Sequence, residues 1–448
     1  MSLTQCVTRT LAPALRANLT VIRFSSAQVQ STSVELKRRE RPSSFKLDGK
    51  EHKTDALWNL SPAVEKLLNR RLLQESSNPL NLLKERIIKH FQYQYRKSGN
   101  RTPLFTICEN ESRIVSVFEN FDSLLTPTDH VSRRPSDTYY VTKDSCLRAH
   151  TSAHQHALMK QGLDAFLVIG DVYRRDEVDK THYPCFHQVE GVRLYSRDQL
   201  LGENQENQIL VPQGTQERNP QHQESHTLDA AKSIEIELKT TLEDLCDSLF
   251  GRDCEKRWVD AYFPFTHPSY ELEVFYNGKW LEVLGCGVIE QKLLESAGVR
   301  DKVGWAFGIG LERIAMVLYD IPDIRLFWTK DTGFLSQFEG KKFDEDVKYK
   351  PISAHPQVIF DISFFLPAET QFNDMTANVY DTIRSVGGEL VEQVSLTDEF
   401  ENKKKGKKSQ TYRIIYRSHE KTLTKDEVNV IHKAIEKNLI ENYEVIMR

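Results

Sequence analysis

Residues 170–192, GDVYRRDEVDKTHYPCFHQVEGV, say more about the fold than any other stretch of this chain. They lie between two apolar runs of strand type, Ala165–Ile169 and Val189–Tyr195, and their middle is dense in charge. A strand that enters an arginine-rich loop presents cations to an anion, and arginine is suited to bidentate phosphate recognition. The stretch therefore predicts a strand–loop–strand unit, although taken alone it also fits a solvated charged hairpin.

A second informative segment is FGIGLERIAM, residues 307–316. Gly308 and Gly310 follow a strand pattern and precede an apolar helix with Arg313 in its first turn, which allows a ligand to approach the backbone closely. The segment lacks the third glycine of the dinucleotide fingerprint and the GK[ST] of a P-loop. It therefore predicts neither a dehydrogenase nor a P-loop NTPase.

Three histidines lie in a third segment, HTSAHQH, residues 150–156. Clustered histidines suggest a metal, but the chain has no HExxH and no CxxC pair. We therefore expect no zinc site, and interpret the segment as a polar pocket wall or a surface loop.

Composition limits the class of protein. The chain has 448 residues, and the net charge of −4 excludes a general polycation, so any nucleic acid must be bound through local contacts. At roughly 150 residues per domain the length suggests about three units. The seven cysteines without a CxxC indicate reduced thiols in an intracellular compartment. No apolar run is long enough to predict a membrane span.

The composition of the N-terminus resembles that of a targeting sequence. Residues 1–34 contain three arginines and no acidic residue, and they are rich in Ser, Thr, Ala and Leu. This composition is typical of a mitochondrial or plastid transit peptide, and the alternative is a disordered terminus.

Hydrophobic periodicity and polar composition divide the rest of the chain into segments. A helical pattern runs from Ser61 to about Phe91, residues 201–226 form a polar, glutamine-rich stretch typical of a surface insertion, and a helix is expected over 227–250. After a charged linker the order β-α-β-β-α-β, with a Thr424/Glu427 capping box, predicts a ferredoxin-like module.

The three segments, preceded by Asn120-Phe121-Asp122 and joined by YFPFTHPSYELEV (262–274) and WLEVLGCGV (280–288), resemble class II aminoacyl-tRNA synthetases. The match is closest to the phenylalanyl enzymes, and with both termini it resembles their single-chain mitochondrial branch. The resemblance implies an α+β fold, with a class II antiparallel-sheet catalytic core and a C-terminal ferredoxin-like anticodon-binding domain. The implied divisions are 1–35 transit peptide, 36–338 core with the 201–226 insertion, 339–355 linker and 356–448 anticodon-binding domain.

For ATP, the resemblance implies that the motif-2 arginine, Arg174, holds the α-phosphate. Asp176 stands where the family often has glutamate, His182 would face the phosphates, and Phe186 and Arg313 would enclose the adenine. Glu282 would lie at the metal end, with Mg²⁺ bound together with ATP and no zinc. Arg174, His182 and Arg313 are the residues expected to act in catalysis.

For phenylalanine, the resemblance implies a polar site for the ammonium group and an apolar slot for the ring. Gln188 and Glu190 alternate on one strand and so face the same side, and Ala306 would limit the depth of the slot. The full implied set is His150, Ser152, Ala153, His154, Gln155, Thr181, Tyr183, Gln188, Glu190, Phe263, Phe265, Ala306 and Phe307.

The implied reaction is formation of phenylalanyl-adenylate and transfer of the acyl group to mitochondrial tRNA(Phe), by a monomer in the mitochondrial matrix. Two rivals stay open at this point: a synthetase-like protein that has lost aminoacylation, and an adenylate-forming ligase with another acceptor. The C-terminal domain has more acidic than basic residues, so its tRNA contact must be local. Candidates are Lys403, Lys404, Lys405, Lys407, Lys408, Arg413 and Arg417.

Overall fold

Helices and strands alternate in groups along the chain, and the computed structural model describes residues 41–201, 210–211, 217–351, 355–402, 407–418 and 420–448. The strands are β1 Ser44–Leu47, β2 Lys50–Lys53, β3 Thr106–Cys108, β4 Ile114–Ser116, β5 Tyr140–Thr142, β6 Ser145–Leu147, β7 Ala165–Tyr173, β8 Cys185–Tyr195, β9 Lys256–Phe263, β10 Thr266–Tyr276, β11 Lys279–Ile289, β12 Val303–Gly310, β13 Val358–Phe365, β14 Val391–Asn402, β15 Lys407–Tyr416 and β16 Ile446–Met447. The α-helices are α1 Pro62–Leu67, α2 Pro79–Gln94, α3 Val117–Asn120, α4 Gln155–Lys160, α5 Arg197–Leu201, α6 Leu228–Phe250, α7 Gln291–Ser296, α8 Leu311–Leu318, α9 Thr332–Leu335, α10 Phe372–Gly387 and α11 Lys425–Tyr443.

A seven-stranded sheet in the order β3-β7-β8-β12-β11-β10-β9 forms the centre of the larger, N-terminal part of the structure. Its pairs are antiparallel except for β3 with β7. Strands β7 and β8 pair up to Tyr173 and Cys185, so residues 174–184 form the loop between them. The predicted strand–loop–strand unit and the antiparallel α+β core are confirmed.

The N-terminal helical pattern is interrupted, and the prediction of one helix from Ser61 to Phe91 is wrong. The hydroxyl of Ser61 caps α1 at the N–H of Val64, but α1 ends at Leu67. A second helix begins at Pro79, capped by Asn78 in extended conformation. Proline clashes with a helical residue before it and cannot donate to the preceding turn, so Asn78-Pro79 restarts the helix.

The predicted surface insertion is partly buried. Residues 202–209 and 212–216 lie outside the described residues, but His222, Gln223 and His226 are buried in the core domain. Their composition suggested solvent because buried polar side chains need partners, which only the fold supplies. Gln223 bonds two backbone carbonyls, and His226 bonds Gln291.

The C-terminal residues form the predicted ferredoxin-like module. Its sheet has the order β14-β15-β13-β16, and α10 and α11 pack with it around a separate hydrophobic cluster. Helix α10 ends at Gly387, followed by Gly388 at φ 54°, and the capping box of Thr424 with Glu427 starts α11. The βαββαβ order is confirmed.

The β7–β8 loop is held against this C-terminal module. Val178, at the middle of the loop, belongs to the hydrophobic cluster of the module, and its carbonyl accepts a 2.7 Å hydrogen bond from the N–H of Val394. Lys180 forms a 2.8 Å ion pair with Glu392. The loop that bears the predicted catalytic arginine therefore contacts both parts of the structure.

The charged segment after the core is also packed. Val347 is buried in the core cluster, and the ammonium group of Lys348 donates a 2.7 Å hydrogen bond to the carbonyl of Leu318.

In the described part of the chain, no helix has the length and hydropathy needed to cross a membrane.

Candidate active site

A cavity of about 600 Å³ is lined by strands β8 to β12 and by the segment after β6. It gathers residues that are far apart in the sequence, because neighbouring strands of the sheet each contribute one or two side chains. The predicted site residues that line it are His150, Ser152, Gln155, Arg174, Asp176, Gln188, Glu190, Phe263, Phe265, Glu282, Ala306 and Phe307.

Glu190 is the buried carboxylate of this cavity. It is 3% exposed and accepts hydrogen bonds from Ser152 Oγ at 2.6 Å, from Thr151 Oγ1 at 3.1 Å and from the amide of Gln155. Burial raises the pKa of Glu190 to about 7, although these hydrogen bonds act in the opposite direction. A carboxylate at this position is poised to receive a cationic group such as an ammonium.

Two polar atoms beside Glu190 have no hydrogen-bond partner among the described residues. They are Nδ1 of His150 and Oε1 of Gln155, both buried. Burial and the charge of Arg174 lower the pKa of His150 to about 3, so its ring is neutral. Because buried polar atoms are normally paired, these two mark where a ligand's polar groups belong.

The apolar side of the cavity is an aromatic slot built on glycines. The rings of Phe263 and Phe265 stack at 5.9 Å with an interplanar angle of 17°. A Cβ at Gly285 would lie 2.7 Å from the Phe263 ring, and one at Gly191 would lie 2.2 Å from Phe307. The rings therefore occupy space that any larger residue on β8 or β11 would fill.

Ala306 lies on the wall of the same cavity. Its side chain is 4% exposed, lines the cavity and packs in a cluster with residues of β7 and β8. A small residue here leaves room on the cavity wall for an aromatic ring, among mostly apolar neighbours.

Arg174 lies on the polar side of the cavity. Its Nε donates a 2.8 Å hydrogen bond to the carbonyl of Ala149, and its guanidinium lies 5.1 Å from the centre of the Phe186 ring. These contacts fix the plane of the guanidinium and leave its terminal nitrogens for an anion. Phe186 does not line the cavity, so the enclosure of an adenine by Phe186 and Arg313 stays a prediction.

Arg313 and two glutamates form a charged group at the edge of the cavity. Nη1 of Arg313 donates to Glu282 at 3.1 Å, and both side chains are about half exposed. Glu271, which the sequence reasoning missed, also lines the cavity. Burial and the charges of Glu282 and Glu273 raise the pKa of Glu271. The sequence does contain a signal for Glu271. Glutamates alternate with apolar residues in ELEV (271–274) and WLEV (280–283), and this pattern places carboxylates on neighbouring strands.

Four predicted residues face elsewhere. Nδ1 of His182 lies 2.7 Å from Asp179, a hydrogen bond that raises the pKa of His182, and Thr181 bonds the same carboxylate. Tyr183 stacks on Trp328, and His154 lies 3.1 Å from Arg148. These local partners hold the side chains outside the cavity; Ala153, also predicted, is buried beneath its wall.

The predicted tRNA-binding cations are partly paired. Arg413 forms a 2.8 Å ion pair with Asp361, and Arg417 a 3.0 Å pair with the buried Glu392. Lys407 and Lys408 lie over the rings of Phe365 and Phe372. Residues 403–406, which include Lys403, Lys404 and Lys405, lie outside the described residues.

Known families match both parts of the chain. Residues 67–200 and 216–338 match the family described as "tRNA synthetases class II core domain (F)", and residues 353–448 match the "Ferredoxin-fold anticodon binding domain". The gap between the two core segments falls within the polar stretch 201–226.

Whole-chain relatives carry a consistent name. A Mus musculus protein named "Phenylalanine--tRNA ligase, mitochondrial" is 49% identical over 393 residues, covering 88% of this chain and 86% of the relative. The Drosophila melanogaster "Probable phenylalanine--tRNA ligase, mitochondrial" is 43% identical over 440 residues, covering 95% and 97%. An Arabidopsis thaliana protein named "Phenylalanine--tRNA ligase, chloroplastic/mitochondrial" is 43% identical over 394 residues, covering 88% and 83%.

The core match, the C-terminal match and the near full-length relatives agree with the cavity geometry. The chain therefore belongs to the class II aminoacyl-tRNA synthetases, within the family of mitochondrial phenylalanine–tRNA ligases.

Proposed function

We propose that this chain activates phenylalanine with ATP and transfers it to tRNA(Phe) for mitochondrial translation. The observation that carries the proposal is a single cavity that joins a buried carboxylate, an aromatic slot and a free guanidinium face. An α-amino acid with a phenyl side chain presents the groups that these three features match, and ATP supplies the anion for the third.

Phenylalanine would lie with its ammonium group at Glu190, next to Gln155 and His150. Its ring would enter the slot between Phe265 and Ala306. This arrangement directs the substrate carboxylate toward Arg174, where the α-phosphate of ATP is expected. Positioning of this kind accounts for a large part of catalysis in reactions that need no protein nucleophile.

Arg174 and Arg313 supply positive charge to the phosphates. Charge on the phosphate oxygens builds up as the carboxylate attacks, and fixed guanidinium groups stabilise that charge without rearranging. His182, held by Asp179 and with a raised pKa, would add a further cation only if the β7–β8 loop moved it toward the cavity.

The donor set on β10 and β11 fits Mg²⁺ brought in with ATP. Glu271 and Glu282 are carboxylates on the cavity wall, and Mg²⁺ prefers oxygen ligands, usually one or two carboxylates together with phosphates. Within the described ranges no group of three or more His, Cys, Asp or Glu side chains forms a site made by protein alone. Bound there, Mg²⁺ would neutralise phosphate charge, and Glu271 and Glu282 would hold it.

The C-terminal module would bind the anticodon region of the tRNA. On its sheet, Phe400 and Phe365 are the register partners of Ser409 on the strand between them, and Phe400 is 54% exposed. Lys407 Nζ lies 5.3 Å from the Phe365 ring, and Arg448 lies 6.0 Å from it. Exposed rings beside cations are a common platform for single-stranded bases, so this surface supports local recognition better than the paired Arg413 and Arg417.

The proposal also covers the compartment, the domain boundaries and the oligomeric state. The transit-type composition of residues 1–34 supports the mitochondrial matrix as the compartment. We also propose the division into a core of 36–338, a linker of 339–355 and an anticodon-binding domain of 356–448, acting as a monomer. Sedimentation of the purified chain tests the last point.

The experiment that tests the function is ATP–pyrophosphate exchange with each standard amino acid, followed by charging of mitochondrial tRNA. We expect exchange with phenylalanine and charging of tRNA(Phe). Exchange without charging would favour a ligase with another acceptor, and neither activity would favour a synthetase-like protein without catalysis.

The variant Arg174→Ala tests whether Arg174 takes part in amino-acid activation. It should abolish exchange without unfolding the chain, since Arg174 reaches into the cavity and its loss leaves no buried charge unpaired. Arg252→Ala, the same change at an exposed turn, is the control. Near-normal exchange by a folded Arg174→Ala protein would remove Arg174 from the proposed chemistry.

A further inference from the structure

The second half of the polar stretch, residues 218–226, forms a strap that runs beside the phenylalanine slot. Its backbone carbonyl at Asn219 lies 2.7 Å from Nε2 of His267, and its Glu224 carboxylate pairs with both Arg218 and Lys292 at 2.9 Å. His222, Gln223 and His226 are buried along it. Neither the proposed reaction nor the family resemblance assigns a role to this strap.

The strap meets the sheet where strand pairing fails. Thr266 pairs with Ile289 and Ser269 pairs with Gly287, so two residues of β10, His267 and Pro268, oppose one residue of β11. Such a bulge leaves backbone groups without a ladder partner. The carbonyls of His267 and Ile289 are exposed to this gap.

Gln223 fills the gap with its side-chain amide. Nε2 donates to the carbonyls of His267 at 3.2 Å and Ile289 at 3.0 Å, and Oε1 accepts from the N–H of Gln291 at 2.7 Å. The residue is 1% exposed. One side chain therefore satisfies three backbone groups, one on β10, one on β11 and one at the first residue of α7.

These bonds enclose the backbone of Phe265. The carbonyl of Phe265 accepts a 3.0 Å hydrogen bond from the N–H of Glu290, which lies between the two β11-side residues held by Gln223. His267, the third residue held, is two positions after Phe265. The Glu290 carboxylate is in turn paired with Arg218 of the strap. Phe265 is thus held at its own carbonyl by Glu290 and two residues later, at His267, by Gln223, while its ring lines the cavity.

We infer that Gln223 is a positioning residue for the phenylalanine slot, acting through Phe265. The inference rests on the proposed function, because it assumes that the slot takes the substrate ring. Without Gln223, the carbonyls of His267 and Ile289 and the N–H of Gln291 lose their partners, and the backbone around Phe265 shifts to find others. We expect the change in substrate binding to be largest for the phenyl ring, because Arg174 and Arg313 lie on elements that Gln223 does not contact. Glu271 and Glu282 share strands β10 and β11 with the bonded carbonyls but lie away from the bulge.

The test is steady-state pyrophosphate exchange by the full chain, with phenylalanine varied at saturating ATP and ATP varied at saturating phenylalanine. For Gln223→Ala we expect KM for phenylalanine to rise roughly tenfold, the scale on which small misplacements of binding groups act. KM for ATP should stay within about twofold of wild type, because the substitution weakens binding of the phenyl ring and not of the nucleotide. Discrimination against tyrosine, as the ratio of kcat/KM values, should also fall.

Two further variants separate hydrogen bonding from bulk. Gln223→Glu keeps the shape but cannot donate to the two carbonyls, so its KM for phenylalanine should rise at least as much as in Gln223→Ala. Gln221→Ala makes the same deletion two residues away at an exposed position of the strap and should behave as wild type.

The outcomes are distinct. A folded Gln223→Ala protein with unchanged KM for phenylalanine, or with equal rises in both KM values, would overturn the inference. If the Gln223 variants do not fold, Arg218→Ala, which breaks the pair of a partly exposed arginine with the buried Glu290, should give a smaller rise in the same direction. An unchanged value there would also overturn the inference. A wild-type chain without phenylalanine-dependent exchange would instead overturn the proposed function, and this inference with it.

Discussion

The guanidinium of Arg175 lies 2.7 Å from the carboxylate of Asp381, and this pair joins the β7–β8 loop of the core to helix α10 of the C-terminal module. Both side chains are 7% exposed. Asn378 adds a hydrogen bond to Arg175, and the hydroxyl of Tyr139 donates to Asp381 at 3.1 Å. The residue next to the predicted catalytic arginine is thus committed to holding the two parts together.

Asp381→Ala should loosen this contact strongly. Removing one partner of a buried ion pair leaves the other charge unpaired and costs about 3–5 kcal/mol. We expect a larger radius of gyration by small-angle X-ray scattering and faster proteolysis between the two parts. Asp361→Ala is the matched control, since its pair with Arg413 is about half exposed and solvent weakens the attraction. Identical scattering from wild type and Asp381→Ala would contradict the prediction.

Deletion of residues 352–448 should leave phenylalanine activation and remove tRNA charging, because every residue of the amino-acid cavity lies before the deletion. The deletion also exposes Val178, which is buried in the C-terminal cluster. The truncated chain is therefore best compared with a second version that carries Val178→Ser, to keep an apolar side chain out of water. Exchange and charging are the two measurements, and charging at full efficiency by either version would refute the role of the module.

Phenylalanine affinity should depend on pH through Glu190. Its pKa of about 7 is above the ordinary value, so the free carboxyl is protonated below that pH. An ammonium group favours the ionised form, so binding must release a proton below pH 7, and affinity should fall roughly tenfold per pH unit there. Above that pH the affinity should level off. Calorimetry in two buffers of different ionisation enthalpy measures the released proton, and Glu190→Gln should lose both the slope and most of the affinity. A flat profile from about pH 5.5 to 8.5 would count against the raised pKa.

Local signals in the sequence were sufficient for much of this structure. The Thr424/Glu427 capping box and the alternation of Gln188 with Glu190 depend on residues within one turn or one strand, and both hold. The motif order also predicted which segments meet at the cavity, because the resemblance supplied the topology that connects them.

Partners distant in the sequence could not be predicted. Arg175 and Asp381 are 206 residues apart, and nothing near either one indicates the pairing. Gln223 was assigned to solvent because glutamine is usually exposed, and its burial depends on carbonyls 44 and 66 residues away. In each case a polar side chain is placed by a backbone or a charge that only the tertiary fold brings near.

Ala306→Gly should relax discrimination between phenylalanine and tyrosine. Tyrosine is disfavoured because its hydroxyl would be buried against Ala306 and apolar neighbours without a partner, at a cost of about 1–3 kcal/mol. Removing the methyl group makes room at the end of the slot, so the ratio of kcat/KM values for phenylalanine over tyrosine should fall roughly tenfold. Ala165→Gly makes the same change at a buried β7 position that does not line the cavity, and should leave the ratio unchanged. Exchange assays with both amino acids measure the ratio. If Ala306→Gly discriminates as well as wild type, the slot does not end at Ala306, and the ring must lie in a different orientation.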